Sequence, residues 1–246
     1  SPARILGPDR IRNRKSRIVS IESFDKLYID GEWVDAHGDS VNEVVNPATE
    51  EVYMTFRSAS PEDVDTAVAA AKQAFVAFGK TTVAERVALL ERIVAVYEEH
   101  RDEFAEALTR EMGAPISLSR TSQSILGVAH LQRTIEALKN QEPEVVRGSS
   151  VVVREPAGVA ALITPWNWPI NQVFTKVASA LAAGCTMVLK PSELTPVDAL
   201  LFARVLDEAG VPAGVFNLVF GSGKTVGRQL TRHPDVDVVS FTGSTR

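Results

Sequence analysis

Residues 159–169 have the sequence VAALITPWNWP, in which an apolar run gives way at once to turn-forming and polar residues. The run Val159–Ile163 predicts a strand that is buried on both faces. Comparable apolar runs follow at Thr186–Leu189, Val215–Val219 and Val236–Phe241. Strands of this kind belong to a parallel sheet, because helices cover both faces of such a sheet.

Helical patterns separate these strands. Helices are predicted over Ile170–Ala183 and over Thr225–Thr231. Between them we predict a helix over Pro196–Ala209, with Thr195 as its N-cap. The alternation of strands and helices predicts an α/β fold with a Rossmann-like parallel sheet and flanking helices. Ligands bind to such sheets at the carboxyl ends of the strands.

The residues before this sheet predict N-terminal helices and two hairpins. An Asp-Gly pair between apolar runs predicts a hairpin over Leu27–Val34. Ser60 begins a capping box for one helix, and amphipathic patterns predict further helices over Val83–Met112 and Ile116–Lys139. Two runs of valines on either side of Gly148-Ser149 then predict a protruding β-hairpin over Val145–Arg154.

The composition indicates an ordinary globular protein. Of 246 residues, 45% are hydrophobic and 23% are charged. A net charge of -5 argues against a nucleic-acid partner, and no apolar run approaches the length of a membrane span. A single cysteine allows no internal disulfide and favours a reducing compartment, so we expect a cytoplasmic location. The histidines show no metal-ligand spacing, and no metal site is predicted.

Residues 1–25 are basic and are predicted to form a disordered tail, with an organelle transit peptide as the alternative. The sequence begins with Ser1 and ends at Arg246, directly after a strand-end motif. We therefore expect that it is an excerpt of a longer protein.

Two charged residues follow the second strand of the predicted sheet. A carboxylate at Glu193 can accept hydrogen bonds from both hydroxyls of a ribose, and Lys190 can donate to the same sugar. The alternative interpretation is an exposed ion pair that contributes little to stability. Both interpretations remain open on these two residues alone.

The glycines of Gly221–Thr225 suggest a phosphate-binding loop. A P-loop would need glycine at position 218, where Leu218 stands, and Gly227 comes one position late for the usual dinucleotide pattern. A plain turn between strand and helix is the alternative. Cys185 precedes a buried strand at its amino end, so we predict a buried thiol rather than a nucleophile.

Three motifs occur in the order ITPWNWP at 163–169, LKPSE at 189–193 and FTGST at 241–245. Together they resemble the NAD(P)-dependent aldehyde dehydrogenase superfamily, and the resemblance extends from about Leu27 to Arg246. It implies that the side-chain amide of Asn167 stabilises the oxyanion of a tetrahedral intermediate, for which a packed and buried amide is suited. The alternative role for Asn167 is that of a turn or cap residue.

The resemblance also implies a cofactor site. Its predicted residues are Ile163, Thr164, Pro165, Trp166, Lys190, Ser192, Glu193, Gly223, Gly227, Phe241, Thr242, Gly243 and Ser244. The implied cofactor is NAD, because the carboxylate of Glu193 repels a 2′-phosphate, while Lys190 and Ser192 leave NADP possible.

The implied reaction is the oxidation of an aldehyde to a carboxylic acid through a cysteine thioester. In the family, the nucleophilic cysteine and the general-base glutamate lie beyond the position of Arg246. We therefore expect residues 1–246 alone to lack the catalytic domain and to be inactive. The implied organisation is an NAD(P)-binding domain over 26–143 and 157–246, with a hairpin over 144–156 that forms a homo-oligomer.

Two other functions stay open at this point. One is a non-catalytic NAD-binding or scaffold fragment. The other is a related reductase that acts on an acyl phosphate or an acyl-CoA.

Overall fold

The computed structural model describes residues 23–244. The predictions for residues 1–22 and for the last two residues lie outside the described residues. The prediction of a disordered tail over residues 1–25 is wrong for Ser23 and Phe24, which form a short strand. The ring of Phe24 packs edge-to-face on Trp33 with a centroid distance of 5.5 Å, and this apolar contact accounts for the difference.

Within the described residues, strands and helices alternate from residue 159 onwards. The strands are β1 (Ser23–Phe24), β2 (Lys26–Ile29), β3 (Glu32–Asp35), β4 (Val41–Asn46), β5 (Glu51–Arg57), β6 (Glu144–Arg147), β7 (Ser150–Val153), β8 (Val159–Ile163), β9 (Thr186–Lys190), β10 (Phe216–Leu218) and β11 (Val238–Phe241). The α-helices are α1 (Pro61–Phe78), α2 (Val83–Met112), α3 (Ile116–Leu118), α4 (Ser124–Lys139), α5 (Pro169–Ala183), α6 (Val197–Glu208) and α7 (Arg228–Arg232). Two π-helical turns, Ser119–Gln123 and Gly223–Gly227, lead into α4 and α7.

The main sheet has the strand order β11-β8-β9-β10-β2-β3. The four strands β11, β8, β9 and β10 are parallel, as the alternating pattern predicted. The hairpin β2–β3 extends this sheet, because Tyr28 of β2 pairs antiparallel with Leu218 of β10. Asp30 and Gly31 form its turn with φ values of 54° and 80°, which a type I′ turn requires.

Two smaller sheets lie outside the main one. Strand β1 pairs parallel with β5, which pairs antiparallel with β4. Strands β6 and β7 form the predicted hairpin as a sheet of their own. Within residues 23–244, every helix is too short or too polar to cross a membrane.

The core lies between the main sheet and its helices. All residues of β8 and β9 are buried. A row of aromatic rings joins α2 to β10 through α5 and α6: Tyr97 to Phe174 at 4.6 Å, Phe174 to Phe202 at 4.7 Å, and Phe202 to Phe216 at 6.1 Å. These edge-to-face contacts pack the three helices against one another and against β10.

The helix ends show one confirmed and one wrong prediction. Ser60 and Asp63 form the predicted capping box of α1. Thr195 does not cap α6, which begins two residues later, and its buried hydroxyl has no hydrogen-bond partner among the described residues. The carboxylate of Glu111 on α2 accepts hydrogen bonds from the first N–H groups of α6 instead.

Candidate cofactor site at the carboxyl edge of the sheet

The strand register brings the predicted site residues to one edge of the sheet. Ile163 at the end of β8 lies opposite Lys190 of β9 and opposite Phe241 of β11. Two backbone hydrogen bonds continue past the strand ends, from Thr164 N to Lys190 O at 3.2 Å and from Thr242 N to Ile163 O at 3.1 Å. The three motifs singled out in the sequence therefore meet at the edge where ligands bind to such sheets.

Lys190 is a buried cation at this edge, with 2% of its surface exposed. Its Nζ donates to the carbonyl oxygens of Pro191 and Gly221, both at 2.8 Å, and lies 3.5 Å from Oε2 of Glu193. Burial lowers the pKa of Lys190, and the charge of Glu193 opposes that effect. Lys190 thus ties the end of β9 to the loop that follows β10.

The turn after β9 holds Ser192 and Glu193. Ser192 is buried, its hydroxyl accepts a hydrogen bond from Leu194 N at 3.2 Å, and its carbonyl accepts one from Thr195 N at 3.2 Å. The side chain of Glu193 is 40% exposed. The turn is therefore ordered by its own hydrogen bonds, while the carboxylate remains open to a ligand.

The glycine-rich loop follows β10 and enters a π-helical turn. Ser222 caps this turn, since its Oγ accepts from Thr225 N at 3.3 Å. Gly223 has no positive φ, and a Cβ built on it meets no atom within 4 Å. A Cβ on Gly227 would make ordinary contacts with Cδ and Cε of Lys190 at 3.7 Å. Neither backbone conformation nor internal packing explains glycine at 223, which fits the close approach of a ligand.

The segment after β8 differs in one respect from the prediction. Thr164 is buried and Pro165 half-buried, while Trp166 is 52% exposed. The expected burial of Asn167 is wrong for this structure, because its side chain is exposed in a bend between the two tryptophans. Asn167 does not cap α5 either, since the N-cap is Trp168 and no side chain caps that end.

The end of β11 completes the edge. Phe241 is 56% exposed, and a Cβ on Gly243 would lie 2.7 Å from its Cζ. A side chain at position 243 would therefore require the exposed ring of Phe241 to move. Thr242 and Ser244 lie in the same segment.

Cys185 lies at the opposite edge of the sheet. It is 6% exposed, its N–H donates to Ala180 O at 2.9 Å, and the next residue, Thr186, pairs with Val159 at the start of β8. The length of β9 separates it from Lys190 by about 17 Å at the usual rise of a strand.

Sequence reasoning missed a carboxyl pair next to this site. Glu111 accepts hydrogen bonds from Val197 N at 2.7 Å and from Asp198 N at 3.1 Å, and both carboxyl groups are buried. No local sequence signal predicts this contact, because 87 residues separate Glu111 from Asp198. An acidic residue in the last turn of a predicted helix, where the dipole disfavours it, is the one available hint.

Comparisons with known proteins identify the family that this chain resembles. The sequence model described as "Aldehyde dehydrogenase family" matches residues 33–246. The chain is 50% identical over 227 residues to a 3-succinoylsemialdehyde-pyridine dehydrogenase of a Pseudomonas species, covering 92% of this chain and 48% of that protein.

Solved structures give the same result. The crystal structure of a mutant aldehyde dehydrogenase C from Pseudomonas syringae, in complex with NAD+ and octanal, is 45% identical with a TM-score of 0.86, covering 92% of this chain and 46% of that one. An aldehyde dehydrogenase from Bartonella henselae is 43% identical with a TM-score of 0.89, covering 92% and 48%. The chain spans about half the length of the curated relatives it matches.

Proposed function

The chain belongs to the aldehyde dehydrogenase family, and from this premise we propose that its sheet edge binds NAD and that the complete protein oxidises an aldehyde to a carboxylic acid. The observation that carries the proposal is the pair Lys190 and Glu193. One is a buried, anchored cation and the other a half-exposed carboxylate, and both lie beside an open glycine loop.

Each of these residues has a role in holding the cofactor. The carboxylate of Glu193 accepts hydrogen bonds from the hydroxyls of the adenosine ribose, and the ammonium of Lys190 donates to the same sugar. The open space beside Gly223 admits the adenosine part of the ligand. The negative charge of Glu193 disfavours a 2′-phosphate, so we propose NAD as the preferred cofactor and NADP as a weaker one.

The remaining predicted residues belong to the same site. We propose that Ile163, Thr164, Pro165 and Trp166 line the nicotinamide half of the cofactor, and that Phe241, Thr242, Gly243 and Ser244 lie near its phosphates. Ser192 orders the turn that carries Glu193, and Gly227 lies beside the side chain of Lys190. NAD+, when bound, supplies the hydride acceptor of the reaction.

Asn167 has a separate chemical role. Its amide N–H donates to the oxygen that becomes negative when a nucleophile adds to the aldehyde, and its exposure in this structure leaves that N–H available. Cys185 is not that nucleophile, because it is buried at the opposite edge of the sheet. For residues 1–246 alone we therefore propose cofactor binding without turnover.

The complete protein is proposed to act on an aldehyde and to assemble as a homo-oligomer through the hairpin β6–β7. The relatives named above indicate a first panel of substrates, in which 3-succinoylsemialdehyde-pyridine is an aldehyde that carries a pyridine ring and octanal is one with a plain alkyl chain. Their different chemistry allows the panel to separate two kinds of substrate pocket.

The test is calorimetric titration of the complete protein with NAD and NADP, followed by measurement of NADH formation with that panel. We expect NAD binding, turnover with at least one aldehyde, and no loss of turnover in Cys185→Ala. Absence of NAD binding, or turnover that disappears in Cys185→Ala, overturns the proposal.

A further inference from the structure

A polar contact crosses the seam between α4 and α5, close to the start of α5. Nε2 of His130 on α4 lies 2.6 Å from Oδ1 of Asn171 on α5. Beside it the two helices pack through apolar groups, since a Cβ on Gly127 would lie 2.3 Å from the buried ring of Phe174. Burying polar groups costs free energy unless they are paired, so the direction of the hydrogen bond in this pair matters.

The contact orients the side-chain amide of Asn171. An amide oxygen only accepts hydrogen bonds, so Nε2 of His130 is the donor. The other half of the amide, Nδ2, has two N–H groups and makes no hydrogen bond among the described residues. Both side chains are half-buried. His130 therefore holds Asn171 with its oxygen turned to α4 and its donors unused.

Asn171 lies near the residue that we propose as the oxyanion donor. Helix α5 begins at Pro169, two residues after Asn167, and Asn171 lies in its first turn. Four positions separate the two asparagines, so their backbones lie within about 14 Å of each other. The first turn of α5 contains no acidic residue that would repel a substrate oxygen. Two sets of amide donors therefore lie at the same end of α5.

Unused amide donors beside a reacting group select for substrates with acceptors. A substrate oxygen that reaches Nδ2 of Asn171 gains a hydrogen bond as it leaves water. An alkyl chain in the same place leaves the amide without a partner once water is excluded, and this difference is the usual source of discrimination between polar and apolar analogues. The reacting oxygen uses the amide of Asn167, so only a second acceptor in the same substrate can use Asn171.

Resting on the proposed oxidation of an aldehyde, we propose that Asn171 is a specificity-determining residue and that the complete protein prefers aldehydes with a second oxygen acceptor, such as a ketone, a few bonds from the aldehyde group. Nδ2 of Asn171 donates to that oxygen, while the amide of Asn167 donates to the reacting one. His130 is a positioning residue, because it acts on the substrate only through the amide of Asn171.

A purely structural role for the pair has a different consequence. If the hydrogen bond only holds α4 against α5, its loss lowers stability and changes the turnover of every aldehyde by the same factor. The ratio of kcat/KM between a keto aldehyde and its alkyl analogue is then unaffected. This ratio therefore separates recognition of the substrate from stability of the fold.

The experiment measures kcat/KM of the complete protein at saturating NAD for two matched pairs of aldehydes, 4-oxopentanal with pentanal and 6-oxoheptanal with heptanal. In the unmodified protein we expect the keto aldehyde of at least one pair to exceed its alkyl partner by roughly tenfold, the value of one hydrogen bond. Asn171→Ala removes the donors, so the ratio should fall to about one while kcat/KM for the alkyl aldehyde stays the same.

A second variant at the same position reverses the polarity. Asn171→Asp keeps the shape of the side chain and an acceptor for His130, but a carboxylate oxygen replaces the free donors. The ratio should then fall below that of Asn171→Ala, because two acceptors repel each other. Asn171→Asp carries the test by itself if Asn171→Ala does not fold.

Variants of His130 test the positioning role. His130→Leu removes the donor to Oδ1 of Asn171, so the amide is free to rotate and the ratio should fall by roughly threefold. His130→Gln offers an amide N–H to the same oxygen and should restore the ratio. The matched control is Asn140→Ala, the same change at an exposed asparagine that ends α4, and it should keep the ratio of the unmodified protein. Thermal unfolding verifies that each variant is folded.

The possible failures are distinguishable. If the complete protein oxidises neither these aldehydes nor the first panel, the proposed function fails and the inference fails with it. If it oxidises aldehydes, but both members of each pair react equally or folded Asn171→Ala retains the ratio, the inference alone is overturned. An unchanged ratio in folded His130→Leu overturns the positioning role of His130.

Discussion

Lys190 and Glu193 form an ion pair across 3.5 Å, yet their surroundings give them different functions. Lys190 is buried and holds two carbonyl oxygens, so its replacement disturbs the loop as well as the ligand. Glu193 is half-exposed and holds no backbone group among the described contacts. A change at Glu193 therefore tests the cofactor site with little effect on folding.

Glu193→Gln in the complete protein should weaken NAD binding by roughly tenfold, since a charged acceptor for the ribose hydroxyls becomes a neutral one. The same change removes the repulsion of a 2′-phosphate, so NADP should bind better than before. Titration with both cofactors measures the ratio. Glu62→Gln, an exposed glutamate in the first turn of α1, is the control and should leave both affinities unchanged. An unaltered ratio of affinities in Glu193→Gln contradicts the assignment.

Gly223→Ala separates the space needed by a ligand from the space needed by the fold. The Cβ meets no atom within 4 Å and the φ angle suits any residue, so the thermal midpoint should stay the same or rise slightly. Binding of NAD should nevertheless weaken by roughly tenfold, because the methyl group fills volume that the ligand requires.

Gly127→Ala is the matched control for that change. There the added Cβ would lie 2.3 Å from Cε2 of Phe174, between α4 and α5. It should lower the free energy of unfolding by about 1–3 kcal/mol through overpacking. Thermal unfolding and NAD titration of both variants check the pair. Equal NAD affinity in Gly223→Ala and the unmodified protein rejects a ligand at Gly223.

Sequence patterns predict the types of the site residues but not their contacts or their exposure. The types and spacing of Lys190 and Glu193 allow a sugar-binding pair, but only the fold shows that Lys190 is anchored on Gly221 O. The oxyanion role that the resemblance implies favoured a buried amide at Asn167, but this residue is exposed in a bend. Exposure depends on what covers a bend, and the local sequence does not encode that.

At the scale of elements, α6 is held at both ends by residues of α2. Glu111 holds its first N–H groups, and His100 bonds to Glu208 in its last turn. Sequence patterns predicted both helices, although α6 begins two residues after Thr195, its predicted N-cap. They did not predict the contacts between the helices, since those join residues that are distant in the chain and depend on packing.

His100 makes the contact at the end of α6 sensitive to pH. Its Nδ1 lies 3.0 Å from Glu103 and its Nε2 3.0 Å from Glu208. The hydrogen bond to Glu103, with that to Glu208, raises the pKa of His100 to about 9. The folded pKa lies above the unfolded value of about 6.5, so this stabilisation is full below about pH 6.5 and is lost as pH rises through about 9.

His100→Gln should therefore lower the thermal midpoint clearly at about pH 6 and much less at about pH 9.5. Differential scanning calorimetry of the complete protein at both pH values measures the two differences. His130→Gln is the control, because His130 bonds to the neutral side chain of Asn171 and not to a carboxylate. An equal loss for His100→Gln at both pH values contradicts the proposed charge on His100.

At the scale of the whole molecule, the predicted parallel strands and their helices form the sheet as expected. The hairpin β2–β3 was predicted as a hairpin but not as an extension of that sheet. Its pairing with β10 rests on a single register pair, Tyr28 with Leu218, which no sequence pattern specifies. The alternation of strands and helices therefore predicted parallel pairing only where helices connect the strands.

The hairpin β6–β7 presents a different surface from the rest of the molecule. Val146 and Val151 face each other across its strands and are 73% and 58% exposed. Val152 is 45% exposed and Val153 is 54% exposed. An isolated two-stranded ribbon is marginally stable in water, and these exposed valines are the surface that the proposed subunit contact would cover.

Val146→Lys should shift the complete protein to a smaller assembly, because the lysine charge would be buried at the proposed subunit contact. Light scattering after size-exclusion chromatography measures the mass. The matched control is Val76→Lys, since Val76 on α1 is 65% exposed and lies outside the hairpin. It should leave the mass unchanged. Val146 and Val76 are both exposed valines, so a loss of assembly in only the first variant assigns the contact to the hairpin. An unchanged mass in Val146→Lys, with folding verified by circular dichroism, removes the hairpin from the assembly, and the exposed valines then require another partner.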